Sequence, residues 1–291
     1  MPSDTTTTLR LALPKGRMQE GIVRLLGAAG IQLSADDRGY RPRLSLPGCE
    51  TKLLKPQNAV EMLHLGSRDF GFAGADWVAE LGAELVELLD TELDPVRLVA
   101  AAPLALLRGG ELPRDRRLVV ASEYERLTRA WIARRGLDAA FVRSYGATEV
   151  FPPEDADCIV DNTSSGATLR ANGLEIVDEL MRSSTRLYAH PHALEDTGKR
   201  RAIEDLVLLV RSVLEARKRV MLEVNVSAAD FAAVIAVLPC MRQPTVSELA
   251  GSGGFAVKAA VPRARLPELV PLLKSKGATD IIVSRLDQIV P

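Results

Sequence analysis

Apolar positions along the chain switch repeatedly between two spacings, and each switch marks an element. Short apolar or alternating runs predict strands over residues 9–13, 43–46, 51–54, 69–73, 95–107, 118–121, 140–143, 158–160, 174–177 and 186–189. Between them the spacing lengthens to three and four. Ile22, Leu25, Leu26 and Ala29 then share one face of a helix closed by Gly30, and further helices are predicted over residues 58–65, 77–81 and 124–135. A long helix over 199–217 places Ile203, Leu206, Val207, Val210 and Leu214 on its inner face. The strand–helix alternation predicts an α/β protein with two βα lobes joined by crossing strands around a hinged cleft. Residues 1–8 carry no such pattern and are expected to form a disordered tail.

Beyond the long helix the pattern changes. Strands over 220–226, 245–249, 255–261 and 280–283, with helices over 228–238 and 266–276, give the order βαββαβ of the split ferredoxin-like motif. By itself that order fits a dimerisation domain as well as a small-ligand sensor.

Composition narrows the partners. A chain of 291 residues is long enough for two or three domains. With a formal net charge of -1 and 4% aromatic residues, it lacks both the basic field and the stacking platforms of nucleic-acid binders. The start has no apolar core of a secretory signal, and the apolar stretch over 98–107 is interrupted by Pro103, so neither secretion nor membrane insertion is expected. Cys49, Cys158 and Cys240 are too far apart for a disulfide framework or zinc cluster, and read as small buried hydrophobes in a reducing cytoplasm. His64, His190 and His192 are not spaced as a metal cluster.

The candidate chemistry centres on residues 158–174. The apolar run Cys158-Ile159-Val160 ends in Asp161, and a turn of small residues follows: Thr163, Ser164, Ser165, Gly166, Ala167 and Thr168. Leu169, Arg170 and Ala171 then open a helix that Asn172-Gly173 stops. A strand, a hydroxyl-rich glycine turn and a helix start together suit a phosphate, because the first N–H groups of a helix have no internal partner. Gly166 is expected to let the backbone approach the anion, having no Cβ. The same residues also fit an ordinary N-cap at Ser164 or Ser165. Lys15-Gly16-Arg17, between the first strand and first helix, sits where open α/β sheets bind ligands, or in a solvated turn. Gly74-Ala75-Asp76 repeats that placement, with Asp76 equally readable as a helix cap.

These residues carry a family resemblance. Asp161, then Ser164-Ser165-Gly166-Ala167-Thr168-Leu169 and Asn172-Gly173-Leu174, resemble the phosphoribosyl-pyrophosphate loop of the ATP phosphoribosyltransferases. Leu13-Pro14-Lys15-Gly16-Arg17, Gly74 with Asp76, and Gly146 with Glu149 are similar to further motifs of that family. The stretches 238–249 and 276–284 resemble the regulatory domain of its long form.

The resemblance implies a periplasmic-binding-protein-like catalytic region with a C-terminal ferredoxin-like, ACT-like domain. Residues 1–103 plus 187–215 would form one lobe, 104–186 the lobe with the loop, and 216–291 the regulatory domain. It implies transfer of phosphoribosyl from phosphoribosyl pyrophosphate to N1 of ATP with Mg2+, the first step of histidine biosynthesis, inhibited by histidine in a homo-oligomer (dimer or hexamer). Asp161, Thr163, Ser164, Ser165, Gly166, Ala167 and Thr168 would hold the phosphoribosyl donor, with Glu149 and Asp161 catalytic. Lys15, Gly16, Arg17, Lys55, Gly74 and Asp76 would serve ATP and the polyphosphates, and Thr245, Ser247 and Ala278 the inhibitor.

Three positions depart from the family pattern. Ala73 stands where the family has Thr, Lys55 where it has Arg, and Asn58 where it has Asp. The last two give some weight to a catalytically silent, bilobal anion- or nucleotide-binding relative. A type I phosphoribosyltransferase would want two adjacent acids before the loop, and Val160-Asp161 offers one.

Overall fold

The computed structural model describes residues 8–34, 39–251 and 253–290. The expected disordered tail falls on residues 1–7, outside the described residues, and on Thr8. In chain order the elements begin with β1 (Leu9–Pro14), α1 (Arg17–Ala28), β2 (Leu33–Ser34), β3 (Arg43–Leu44), β4 (Cys49–Leu54), α2 (Pro56–His64), β5 (Phe70–Gly74) and α3 (Ala75–Leu81). They continue with β6 (Val86–Pro103), β7 (Leu118–Ser122), α4 (Glu125–Arg135), β8 (Ala139–Arg143), β9 (Cys158–Thr163), α5 (Ala167–Ala171), β10 (Leu174–Ala189), α6 (Pro191–Glu195) and α7 (Thr197–Lys218). The last are β11 (Arg219–Ser227), α8 (Phe231–Ile235), β12 (Thr245–Glu248), β13 (Gly254–Pro262), α9 (Leu266–Ser275) and β14 (Thr279–Arg285). Two compact units result, the first running to Glu204 apart from Ala28–Gly30, the second taking those three residues and the chain from Asp205.

The first unit is organised by one eight-stranded sheet in the order β4-β1-β5-β10-β6-β9-β7-β8. Its two ends are parallel, β4-β1-β5 on one side and β9-β7-β8 on the other. Between them β6 and β10 run antiparallel along almost their whole lengths. The far end of β10 borders β5, and Arg97–Ala101 of β6 border β9. The same two strands therefore belong to both halves. The expected separate strands at 174–177 and 186–189 are one strand, β10, and β6 begins at Val86, nine residues before its expected start. The intervening polar residues are held by this mutual pairing instead of by a buried face, so no apolar alternation announces them.

Both faces of the second half are covered, which explains its continuous apolar runs. Leu98, Ala100 and Ala102 point to one side with Leu118, Val120, Tyr124, Trp131, Cys158 and Val160. Val99, Ala101, Ala121 and Ile159 point to the other, against Leu169 and Leu174. Each fully buried Leu or Val here contributes about 1.5–3 kcal/mol. Of the cysteines only Cys158 is fully buried, and burial pushes its thiol up to about 12. In the first half Gly71 lets β5 approach β1, since a Cβ there would stand 2.6 Å from the carbonyl oxygen of Ala12.

The second unit contains a four-stranded antiparallel sheet in the order β12-β13-β11-β14, the ferredoxin-like arrangement expected from the βαββαβ order. Val220, Leu222, Val224 and Val226 alternate inward along β11 and pack with Val234, Leu269 and Leu273. The helix expected over 228–238 is shortened to α8. Asp230 is tied to Ser227 in a turn before it, and Pro239 disfavours helical geometry at Leu238 after it. Thr245 and Ser247 lie exposed on edge strand β12, while the side chain of Ala278 is 1% exposed and packs in the core.

Candidate active site

Residues that are far apart in sequence converge where the strands of the first unit end. Lys15, Gly16 and Arg17 follow the carboxyl end of β1, Asp76 follows β5, and Tyr124 follows β7. Asp161, Asn162 and Thr163 close β9. The middle of the β6–β10 pair supplies the floor. Along it β10 shifts register between Ser183 and Thr185 and again between Thr185 and Arg186, while Glu92 and Asp94 of β6 take positive φ. Ser183, Ser184 and Thr185, three consecutive residues, consequently line the same cavity.

That cavity has a volume of about 220 Å³. Lys15 and Arg17 supply positive charge, Asp76 and Asp94 negative charge, and Trp77 an aromatic face. A second cavity of about 240 Å³ is bounded by Arg17, Glu149, Asp161 and the Asn162–Leu169 loop. Arg17 and Asn162 belong to both walls, so the two cavities adjoin.

The loop is built from its own hydroxyls. The Gly166 N–H donates to Thr163 Oγ1 at 2.9 Å, and the Ala167 N–H to Ser165 Oγ at 3.3 Å. Gly166 has φ +74, and a Cβ on it would meet the Arg170 guanidinium at 2.9 Å and Ile176 at 3.6 Å. Glycine serves the left-handed turn that starts α5, and the space beside it holds Arg170. Ser164, Ser165 and Thr168 are exposed around the loop cavity.

Asp161 is half-buried, and its Oδ1 accepts the N–H of Asn162 at 2.7 Å. Burial and the charges of Glu149 and Glu123 push its carboxyl up to about 6. Asp76 lies in a different environment. Its Oδ1 accepts the Ser183 hydroxyl at 2.7 Å, its Oδ2 the Tyr124 hydroxyl at 2.7 Å, and its own N–H donates to Ser183 Oγ at 3.0 Å. Asn162 donates to the Tyr124 oxygen at 2.9 Å, and the Tyr124 ring stacks on Trp77 at 4.6 Å.

The structure brings Lys15, Arg17, Gly74 and Asp76 to one cavity, and Glu149, Asp161, Thr163, Ser164, Ser165, Ala167 and Thr168 to its neighbour. Gly16 takes φ +90 and its carbonyl accepts the N–H of Gln19, so it acts through the backbone. Lys55 is the residue that caps α2, and Pro56, not Lys55, lines the cavity. Asn58 donates to Glu61 on the exposed face of α2. Neither Lys55 nor Asn58 is among the residues that line the two cavities. Asn162, Tyr124 and Ser183 escaped the sequence reading, and only the position of Asn162 beside Asp161 hinted at any of them.

Comparison with known proteins matches two family models along the chain. The ATP phosphoribosyltransferase family (HisG) matches residues 55–212, and the HisG C-terminal domain matches residues 216–288. ATP phosphoribosyltransferase of Desulforudis audaxviator is 37% identical, over 97% of this chain and 99% of its own. That of Pelotomaculum thermopropionicum is 35% identical over the same shares. Among solved structures, the ATP phosphoribosyl transferase (HisG:HisZ) complex from Thermotoga maritima superposes with a TM-score of 0.63 at 25% identity. It covers 71% of this chain and 98% of its own.

Proposed function

Because the chain belongs to the ATP phosphoribosyltransferase family, in its long form, we propose that the two adjoining cavities of the first unit hold its two substrates. The reaction is transfer of phosphoribosyl from phosphoribosyl pyrophosphate to N1 of ATP, releasing pyrophosphate, the first step of histidine biosynthesis. The loop cavity takes the donor. Ser164, Ser165 and Thr168 hydroxyls and the first N–H groups of α5 receive the 5′-phosphate. The cavity with Trp77 and Asp76 takes the adenine nucleotide, and Lys15 and Arg17 neutralise polyphosphate. The observation that carries this division is the shared wall of Arg17 and Asn162, which lets donor and acceptor meet.

Displacement at the anomeric carbon develops positive charge on the sugar and negative charge on the leaving pyrophosphate. The Asp161 and Glu149 carboxylates lie on the sugar's side of the cavity, where negative charge favours the developing cation. Arg17, at the junction, offsets charge on the departing diphosphate. No covalent nucleophile is required. Bringing two polyanions together is most of the work.

The donor set also fits Mg2+. Among the described residues neither Asp161 nor Glu149 forms an ion pair, and hard carboxylate oxygens suit that cation, which prefers to share its ligands with substrate phosphates. When bound it supplies further neutralisation of the leaving group. We further assign histidine inhibition to the second unit, activity to a homo-oligomer and location to the cytoplasm. The last is supported by three free thiols and by the lack, among the described residues, of any helix long and apolar enough to cross a membrane. The silent-relative alternative loses its main support, since Lys55 and Asn58 stand off the cavity walls.

The test mixes protein, ATP, phosphoribosyl pyrophosphate and Mg2+ with pyrophosphatase, and follows the ultraviolet absorbance of the adenine product with and without histidine. A rise that histidine suppresses supports the whole reading. No rise, with both substrates binding, overturns it in favour of a silent binder.

A further inference from the structure

The chain Ser183–Asp76–Tyr124–Asn162 crosses the site from floor to loop. Tyr124 is its centre. The residue is fully buried, and its hydroxyl has a defined direction, donating to Asp76 and accepting from Asn162. Burial and the Asp76 carboxylate push its ionisation far above the usual tyrosine range, so the hydroxyl keeps its proton. Its backbone is fixed as well. The Tyr124 N–H donates to Ser122 Oγ at 2.9 Å, and Ser122 Oγ–H donates to the Val160 carbonyl at 2.6 Å. Tyr124 is thus tied to β9 twice, one residue before Asp161 and one residue after it.

Its other end meets the opposite half of the sheet. Asp76 and Trp77 are in the first turn of α3, and α3 is fastened to the start of α4 by Glu80, whose carboxylate oxygens accept the N–H groups of Arg126 and Leu127 at 2.9 and 3.0 Å. The Tyr124 hydroxyl is the direct side-chain link from Asn162 to Asp76, beside the longer path through the β6–β10 ladder to Ser183. On the proposed assignment of the cavities, Asn162 at one end borders both the donor and the nucleotide, and Asp76 and Ser183 border the nucleotide.

We propose that Tyr124 is a positioning residue that couples the two substrate cavities, its hydroxyl holding Asp76 and Asn162 in register so that occupancy of the loop organises the nucleotide side. This rests on the proposed division of the cavities. Occupancy of one site should then change affinity at the other, and the effect should be reciprocal.

The experiment is calorimetric. ATP is titrated into the full-length protein with and without saturating ribose 5-phosphate, which carries the sugar and phosphate but no leaving group and so cannot react. In the native protein ribose 5-phosphate is expected to tighten ATP by about 10-fold. Tyr124→Phe keeps the ring on Trp77 and removes only the bridge. It is expected to bind ATP alone within about threefold of the native value and to lose the tightening to less than about twofold. A merely structural role would weaken both titrations together. Should Tyr124→Phe fail to fold, the native protein is titrated in the reverse order, ribose 5-phosphate with and without saturating ATP; the same tightening is expected by reciprocity, and its absence overturns the proposal.

Full tightening in a folded variant overturns the proposal. So does a native protein that turns over yet shows no coupling. A native protein that neither binds ATP nor turns over would instead overturn the assignment of the cavities.

Discussion

Replacing Asp161 by Asn should make the protein more stable and much less active, and the stability gain should depend on pH in a defined direction. In the folded protein burial and the Glu149 and Glu123 charges raise this carboxyl from 3.8 to about 6. The folded state therefore takes up a proton more readily than the unfolded one. The ionised form is penalised, the penalty being nearly absent below pH 4 and complete above pH 6. Two pH units at 1.36 kcal/mol each set an upper limit of ~3 kcal/mol. Since the side chain keeps some contact with water, about 1–2 kcal/mol is the working expectation, or roughly 3–6 °C in the melting temperature of a unit this size. Asparagine keeps the shape without the charge. Asp161→Asn should melt higher than the native protein at pH 8, lose most of that gain at pH 4, and lower kcat by about 10²–10³ through loss of charge beside the sugar. The native kcat/KM should fall as pH drops through about 6, where free Asp161 gains its proton. Thermal melts at both pH values, with steady-state rates across pH 5–9, give all three readings. Equal gains at pH 4 and pH 8, or a kcat within tenfold of native, would refute the reasoning.

Two glycines lend themselves to simpler tests. Gly166→Ala forces a side chain into the left-handed region and against Arg170, so the loop should lose about 1–2 kcal/mol and the KM for phosphoribosyl pyrophosphate should rise at least tenfold with the ATP value little changed. An unchanged KM would remove this loop from the donor site. Gly71→Ala drives a Cβ into the Ala12 carbonyl within the parallel β4-β1-β5 half of the sheet and should cost about 1–3 kcal/mol in urea unfolding of the first unit. A native-like midpoint would show that β1 and β5 can separate without loss.

What the sequence disclosed follows from the range over which its signals act. β1, α1, α4, β9 and the βαββαβ order were legible because each is governed by apolar spacing within a dozen residues. The loop at 163–168 was legible for the same reason, with its hydroxyls and glycine lying side by side. Lys55 was named from its motif position alone, which carries no side-chain direction, and in the fold its neighbour Pro56 is the residue that lines the cavity. The tyrosine network was illegible for a different reason. Its hydrogen bonds span 107, 48 and 38 positions, and no local pattern selects Ser183, Asp76, Tyr124 and Asn162 from the other polar residues of their types.

The register shifts in the β6–β10 pair bear on how this protein can vary in length. A regular strand sends consecutive residues to opposite faces, so only one or two of Ser183, Ser184 and Thr185 could reach a single cavity from regular pairing. All three do so because the ladder is irregular there. The extra residues lie on β6, which advances from Val96 to Asp90 while β10 advances from Ser183 to Arg186. Removing one residue of β10 there would exchange the faces of every side chain beyond it, among them the buried Leu187, Tyr188 and Ala189. Exposed turns such as Arg108-Gly109-Gly110 can gain or lose residues at little cost, whereas the count between Val86 and Ala189 along these two strands is constrained by parity. Lineages that share this cleft should therefore differ in the lengths of their turns and agree, residue for residue, in the length of the ribbon beneath it.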